Sequence, residues 1–123
     1  MMMITKDFTF EAAHFLPLTA AGHKCRRMHG HSFKAEVSVR GPVRDDGMVM
    51  DFADISAAMA PLLRQIDHNL LNEVPGLENP TSENIALWLE AKLRGALPGL
   101  CAVVVHETCT CRAEIRRNNG VME

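Results

Sequence analysis

The chain lacks four features, each of which would have pointed to a particular class of protein. The first is a strong excess of one charge, since 13 lysines and arginines oppose 15 acidic residues and the net charge is −2. A nucleic-acid-binding surface normally shows as an excess of basic residues, so nucleic acid is not expected as the main partner. The second is an apolar run long enough to span a bilayer, so no membrane partner is expected.

A signal peptide and a paired-cysteine motif are also missing. Residues 1–7 lack the apolar core of a signal peptide, so we expect the protein to stay in the cytoplasm. Thiols are kept reduced there, so the four cysteines at positions 25, 101, 109 and 111 are interpreted as core, ligand or catalytic residues. Because no Cys-x-x-Cys pair occurs, a structural zinc ribbon is not expected.

The composition is that of one soluble globular domain, residues 1–123. Apolar residues make up 47% of the chain and charged residues 23%, which are the proportions of an ordinary folded domain. A chain of this length buries a modest core, and it is small enough that oligomerisation would add stability.

Two segments near the amino terminus alternate apolar and polar residues, and histidines share the apolar face of each. The first segment, residues 7–14, ends at His14; the second, residues 29–40, begins with His29 and His31. Strict alternation predicts half-buried β-strands, in which every second side chain lies on the same face. If the two strands pair as an antiparallel hairpin, the three imidazoles converge.

Three converging imidazoles with no acid among them form the ligand set of a catalytic zinc site with an open fourth position. On an apolar face these rings would otherwise be polar groups that are costly to bury. The alternative is that His29 and His31 bind nothing, as is usual for a lone His-x-His, and that His14 is an ordinary interfacial histidine.

The rest of the chain predicts two helices and then two strands. Asp51 is a suitable N-cap for a first helix that ends at about residue 66, and Pro61 is expected to kink it or weaken its middle. Thr81 or Ser82 caps a second helix, whose apolar stripe continues to Leu97. Strands are predicted over about residues 100–108 and 111–117.

The resulting order, ββααββ, belongs to the α+β class. Its simplest packing is a four-stranded antiparallel sheet with both helices on one face. Such a small open sheet leaves its edge strands unpaired, and an edge invites pairing with another copy of the chain. We therefore expect an oligomer that continues the sheet between subunits.

Cys25 lies beside the predicted metal site and is flanked by Lys24, Arg26 and Arg27. Neighbouring cations and a nearby metal favour the thiolate form of a cysteine. Separated by three residues from His29, this thiolate suits a general base. The competing interpretation is a closed structural site, in which Cys25 joins the three imidazoles as a fourth ligand.

Two further positions carry weaker signals. Asp67 adjoins His68, and a carboxylate beside an imidazole can orient it as a proton shuttle; otherwise His68 only complements the helix dipole. Glu107 follows an apolar strand, where a carboxylate is either solvated or anchors a ligand. Its two oxygens match a ring edge with two N–H donors, as in guanine or a pterin.

The chain resembles the 6-pyruvoyltetrahydropterin synthase family, and within it the bacterial 6-carboxy-5,6,7,8-tetrahydropterin synthases of the queuosine pathway. The resemblance covers nearly the whole chain. It rests on the Asp-Phe-Thr-Phe-Glu-Ala-Ala-His segment at 7–14, the Cys-x-x-x-His-Gly-His segment at 25–31, Asp67-His68, the Pro-Gly-Leu-Glu-Asn-Pro-Thr-Ser-Glu-Asn segment at 75–84, and Glu-Thr-Cys-Thr at 107–110. After Cys109 the chain departs from the family pattern, through residues 111–117.

The resemblance implies the tunnelling fold, in which ββααββ subunits form trimers around a shared β-barrel and two trimers make a hexamer. It implies zinc on His14, His29 and His31, with Cys25 as the catalytic thiolate. Asp67 and His68 would be a proton-relay pair contributed by a neighbouring subunit. Glu107 would hold the pterin ring, with Thr81 and Ser82 lining the pocket from across the interface.

The implied reaction is the conversion of 7,8-dihydroneopterin triphosphate to 6-carboxytetrahydropterin, with release of acetaldehyde and triphosphate. One alternative is a 6-pyruvoyltetrahydropterin synthase, which eliminates triphosphate and keeps the side chain. The other is a non-catalytic, zinc-stabilised module that binds pterins.

Overall fold

The structure is a computed structural model that describes residues 1–118 and 121–122. It contains two helices and six strands, with short 3-10 turns at Lys24–Arg26 and Leu71–Glu73. In chain order the elements are β1 (Met2–His14), β2 (His29–Gly41), α1 (Phe52–Ile66), β3 (Asn69–Leu70), α2 (Ser82–Leu93), β4 (Leu100–His106), β5 (Arg112–Asn118) and β6 (Val121–Met122).

The strands form one sheet in the order β3-β1-β2-β4-β5-β6. The four long strands and their antiparallel pairing were predicted, and the α+β class is confirmed. The sheet differs from the expected four-stranded one by two additional two-residue strands. One of them, β3, pairs with β1 in parallel, so the sheet is mixed. Two residues are too few to show a period, which is why the sequence pattern did not indicate them.

One face of the sheet and both helices enclose a single core, as expected. Phe10 of β1 stacks on Phe33 of β2 with ring centroids 5.0 Å apart, and Val103 of β4, opposite Val37 of β2, is fully buried. The helices contribute the buried side chains Ile55, Met59, Leu62 and Ile66 from α1 and Ile85, Leu89 and Leu93 from α2. Burial of these alternating and helically spaced side chains is the main stabilising contribution to the fold.

Both helices begin where their caps were predicted. The Asp51 carboxylate accepts the Ala53 N–H at 2.8 Å, and Thr81 Oγ1 accepts the Asn84 N–H at 3.1 Å. Helix α1 runs without interruption through Pro61. Helix α2 ends at Leu93, before the predicted stripe ends at Leu97. The chain continues as a turn, in which the Ala96 and Leu97 N–H groups both bond to the Leu93 carbonyl.

The β1–β2 register determines where the histidines lie. His14 is directly opposite His29, and Ala12 is opposite His31, so the end of the first strand meets the start of the second. No helix in the part of the chain that the structure describes is both long and apolar enough to span a membrane.

Candidate metal centre

The three predicted ligand residues, His14, His29 and His31, converge at one end of the β1–β2 hairpin, and we call them the histidine cluster. Their ring centroids are separated by 4.6 Å (His14–His29), 4.9 Å (His29–His31) and 5.2 Å (His14–His31). Phe33 packs edge-on against two of the rings. The cluster therefore lies at the end of the apolar core.

Backbone carbonyls determine which nitrogen each ring turns inward. His14 Nδ1 donates to the Pro80 carbonyl at 2.8 Å, and His29 Nδ1 donates to the Arg27 carbonyl at 2.7 Å. A neutral imidazole has one N–H, so both rings direct the Nε2 lone pair toward the cluster. The two Nε2 atoms are only 3.0 Å apart. Facing lone pairs repel each other unless a cation lies between them.

His31 Nε2 is buried and makes no hydrogen bond. The Glu107 carboxylate oxygen Oε1 is 3.0 Å away, but in a direction that does not form a hydrogen bond. An unsatisfied buried nitrogen is costly unless it binds something that the protein itself does not supply. Three inward nitrogens, two of them oriented by carbonyls, fit a divalent metal ion such as zinc.

The electrostatics at His14 favour the neutral form of its imidazole. His14 is fully buried, and burial is the main cause that lowers its pKa below the ordinary 6.5. The neighbouring His29 and His31 lower this pKa further, whereas the bond to Pro80 and the Glu107 carboxylate act in the opposite direction. Because a metal binds only neutral imidazole, the lowered pKa of His14 keeps the site ready for a cation.

The structure adds a carboxylate to the set that the sequence predicted as histidines alone. Glu107 Oε1 is 3.0 Å from His31 Nε2 and 3.8 Å from His14 Nε2. Potential ligand atoms of the four residues all lie within 4.8 Å of one another. Glu107, which the sequence predicted separately as a possible ligand anchor, therefore lies beside the three imidazoles, because the β4–β5 loop, distant in sequence, brings it to the hairpin end.

Thr81 and Ser82 contact their own chain at the start of α2. The Thr81 hydroxyl is used as the helix cap. The hydroxyl of Ser82, which is buried, donates to Glu107 Oε2 at 2.8 Å. Ser82 therefore holds one oxygen of the Glu107 carboxylate, while the other oxygen faces the histidine cluster.

Cys25 lies within the 3-10 turn of the loop that joins β1 to β2 and is half-buried. Its N–H donates to His23 Nδ1 at 3.0 Å, and its carbonyl accepts the Leu16 N–H at 2.7 Å. The loop is tethered to the histidine cluster two residues later, through the bond from His29 to the Arg27 carbonyl.

Asp67 and His68 form a pair at the outer edge of β1. Their side chains meet at 3.0 Å between Asp67 Oδ1 and His68 Nδ1, and Asp67 also accepts the Glu11 N–H at 2.9 Å. That bond is the main cause that lowers the pKa of Asp67, with a smaller contribution from His68. His68 has φ +59°, a conformation that is uncommon outside glycine and is concentrated at functional sites.

The pair is not joined to the histidine cluster by any hydrogen bond in the described residues. His68 is 77% exposed, and it lines an open groove of about 510 Å³ that His31 also borders. The imidazole of His68 is therefore exposed at the surface of the chain.

Sequence reasoning missed the groups that orient the ligands. Besides the carbonyls of Pro80 and Arg27, the Asn72 side chain accepts the Phe15 N–H at 3.0 Å and donates to the Phe15 carbonyl at 2.8 Å. These two bonds secure the residue after His14. Backbone carbonyls have no signature in a sequence, and an asparagine 57 positions away from its partner gives no local signal.

The fold and the cluster together define a small α+β protein in which three histidines and a glutamate could hold a metal ion. The particular family follows from comparison with known proteins: the family model described as 6-pyruvoyl tetrahydropterin synthase matches residues 3–118, and the chain belongs to that family.

Curated relatives and a solved structure agree with this assignment. The chain is 49% identical over 120 residues to the 6-carboxy-5,6,7,8-tetrahydropterin synthase of Synechocystis, covering 92% of each. It is 37% identical over 91 residues to the dihydroneopterin monophosphate aldolase of Pyrococcus furiosus, covering 74% of each. The structure of Caenorhabditis elegans 6-pyruvoyl tetrahydropterin synthase superimposes with a TM-score of 0.86 at 28% identity, covering 95% of this chain and 96% of that one.

Proposed function

We propose that this chain is a carbon–carbon lyase that converts 7,8-dihydroneopterin triphosphate to 6-carboxy-5,6,7,8-tetrahydropterin and releases acetaldehyde and triphosphate. The observation that carries the proposal is the 49% identity, across almost the full chain, with an enzyme named for that product. In this role the protein would catalyse an early step of queuosine (7-deazaguanine) biosynthesis.

The histidine cluster would hold a zinc ion through the three inward Nε2 atoms. When bound there, zinc would supply Lewis acidity that makes the hydroxyl protons of a substrate side chain easier to remove. The Pro80 and Arg27 carbonyls would keep two of the rings in the ligating orientation. Groups of this kind typically change metal affinity or activity by about 10- to 100-fold when they are lost.

Glu107 would fix the pterin ring. A carboxylate can accept two N–H groups from one ring edge, and such paired, charge-assisted bonds set both position and orientation. With Ser82 holding Oε2 and the cluster beside Oε1, the side chain of a ring held here would extend toward the histidines. Holding the ring in this way would use binding to position the substrate side chain, and correct positioning lowers the activation free energy of the reaction.

Cys25 would remove a proton from the substrate side chain, and His68, oriented by Asp67, would relay another. The pair is exposed and makes no bond to the histidine cluster of its own chain within the described residues. This supports a role in the site of a neighbouring subunit, where an exposed imidazole held by a carboxylate is well placed to move protons.

The assembly that would bring these groups together is a hexamer made of two trimers. In the described part of the chain, β1 has a strand partner on its outer side only at Ala12 and Ala13. The outer side of β5 is covered there only by the two-residue β6. Pairing β1 of one copy with β5 of the next would remove both edges and close three sheets into a barrel.

The experiment that tests the function is product analysis from 7,8-dihydroneopterin triphosphate, with wild type and Cys25→Ala compared side by side. We expect 6-carboxytetrahydropterin with equimolar acetaldehyde from the wild type and neither from the variant. A pterin that keeps its side chain would identify a 6-pyruvoyl synthase instead. Equal, zero turnover of every dihydropterin by both proteins, with unfolding on metal removal, would identify a non-catalytic module.

A further inference from the structure

The backbone N–H of Cys25 is bound by a side chain two residues earlier. His23 Nδ1 accepts this N–H at 3.0 Å and so caps the 3-10 turn that contains Cys25. The Arg26 N–H donates to the His23 carbonyl at 3.1 Å, which closes the turn from the other side. His23 itself is exposed, so it makes this contact without being fixed by the core.

This bond acts directly on the N–H of Cys25, and His23 itself is tied to the loop by the bond from its own N–H to the Ala20 carbonyl at 3.0 Å. The Leu16 N–H holds the Cys25 carbonyl, and the Arg26 guanidinium holds the Thr19 carbonyl at 2.8 Å. The first of these bonds holds the carbonyl of Cys25 and the second holds the carbonyl of Thr19, so neither acts on the Cys25 N–H. Without an acceptor at position 23, the Cys25 N–H would bond to water, and the turn would fray from its first residue.

We propose that His23 is a positioning residue for Cys25, which it serves through the Nδ1 lone pair and not through proton transfer. The inference rests on the proposed function, in which the Cys25 thiolate removes a proton from the substrate. The acceptor role of the His23 side chain can be tested with a matched pair of variants. Asparagine places Oδ1 at the same branch of the side chain as Nδ1 and is a preferred capping residue, whereas alanine has no acceptor.

The first measurement does not depend on activity. Amide hydrogen exchange of the peptide covering residues 20–28 is followed at millisecond to second labelling times in wild type, His23→Ala and His23→Asn. We expect exchange about three- to tenfold faster in His23→Ala, the factor for losing one ordinary hydrogen bond, and wild-type exchange in His23→Asn. Unchanged exchange in His23→Ala would overturn the positioning role.

The second measurement is turnover of 7,8-dihydroneopterin triphosphate by the same proteins. We expect kcat to fall about three- to tenfold in His23→Ala with little change in KM, and to recover in His23→Asn. Loss of activity in His23→Asn equal to that in His23→Ala would mean that the imidazole itself is needed, and would overturn the inference.

A Cys25→Ala protein separates this inference from the function on which it rests. If Cys25→Ala is fully active, the assigned role of Cys25 fails, whatever the exchange experiment gives. If Cys25→Ala is inactive but His23→Ala exchanges faster with unchanged kcat, the proposed function stands and the positioning role for catalysis is overturned.

Discussion

At the scale of single residues, the histidine cluster and the Asp67-His68 pair are separate pieces of the molecule. Two of the cluster rings are held by backbone carbonyls, one in the loop between β1 and β2 and one just before α2. The pair is held by the backbone of Glu11 at the outer edge of β1. A substitution in one piece should therefore leave the other intact, and this makes ligand and relay roles experimentally distinct.

The first prediction uses that separation. His31→Ala removes an inward nitrogen and should weaken zinc binding by at least ~100-fold, because a three-nitrogen site loses a ligand rather than an orienting partner. His68→Ala should bind zinc like the wild type but lose most of its turnover. Metal content by mass spectrometry, alongside acetaldehyde release, checks both. A His68→Ala protein that had lost its zinc would place His68 among the ligands and contradict the separation.

The second prediction concerns the pH dependence contributed by Asp67. Because the Glu11 N–H and His68 lower the pKa of Asp67 in the folded protein, the carboxylate stabilises the fold above its ordinary pKa of 3.8. This contribution is lost as the pH falls through the lowered value.

The matching variant is Asp67→Asn, which cannot ionise. Its stability deficit relative to wild type should be constant at neutral pH and shrink below pH 3.8. Urea unfolding of both proteins across that range measures the difference. A deficit that instead grew in acid would show that the sign of the Asp67 shift is wrong.

At the scale of elements, α2 connects the core to β5 through a buried carboxylate. Glu90 is 1% exposed, and it accepts hydrogen bonds from the guanidinium groups of Arg94 at 2.9 Å and of Arg117 in β5. A buried carboxylate is tolerated only when it is paired, so Glu90 fixes α2 against the last long strand.

The third prediction follows from this contact. Glu90→Ala should lower the free energy of unfolding by about 2–3 kcal/mol, because it leaves a cavity and a poorly exposed Arg117 without this partner. Arg94→Ala is the matched control, since half of that side chain is in solvent and it should cost less than ~1 kcal/mol. Chemical denaturation measures both. Equal losses for the two variants would contradict the buried role of Glu90.

The elements whose apolar pattern repeats over many residues were predictable, whereas the contacts between segments distant in sequence were not. Alternation over the first two strands defined their faces, and pairing of these two strands placed His14 opposite His29. The end of α2 was predicted too late because the apolar stripe continues through Leu97, which is buried from a turn after the helix. A periodic pattern reports which side chains are buried, and it does not report whether the backbone is still helical.

The residues of the site likewise fall into a group that the sequence could predict and a group that it could not. The three histidines could be found because they share one hairpin, within which register follows from alternation. The place of Glu107 beside His31 depends on how β4 aligns with β2, and the contact of Ser82 with Glu107 depends on helix packing. Neither is encoded in a local pattern, so the sequence indicated a role for Glu107 but not its position beside the histidine cluster.

At the scale of the whole molecule, the outer edge of β1 is where a second copy is expected. The backbone groups of Glu11 point outward, since they bond to Asp67 and His68 on the side away from β2. Alternation therefore turns the N–H of Thr9 outward too, where in the described residues no strand covers it.

The fourth prediction removes that donor. Thr9→Pro keeps the bonds between β1 and β2 but deletes one outward N–H, and proline is tolerated on edge strands for that reason. The protein should dissociate to smaller species and lose activity, whereas Thr9→Ala should remain assembled. Analytical ultracentrifugation gives the mass, and circular dichroism checks that Thr9→Pro is folded. An undiminished mass for a folded Thr9→Pro protein would exclude this edge from the interface.

The fifth prediction concerns removal of the metal. The hydrophobic core is built from side chains of the sheet and both helices, so a chelator should give a folded, inactive protein that recovers with zinc. Burial lowers the pKa of His14, so the metal-free protein should be most stable above its ordinary value of 6.5 and lose stability as the pH falls below it. Thermal unfolding of chelated protein against pH checks this. Complete unfolding at neutral pH would instead indicate a structural metal.

Three consecutive residues at the start of α2 carry separate duties: Pro80 orients His14, Thr81 caps the helix and Ser82 holds Glu107. Their spacing is therefore as important as their identity. An inserted or deleted residue between positions 79 and 83 would disturb the orientation of His14, the helix cap and the contact with Glu107 at the same time. We expect variation in length among natural or engineered versions of this chain to be confined to other loops. The number of residues in the 80–82 stretch should stay constant, because it sets the distances between these three contacts.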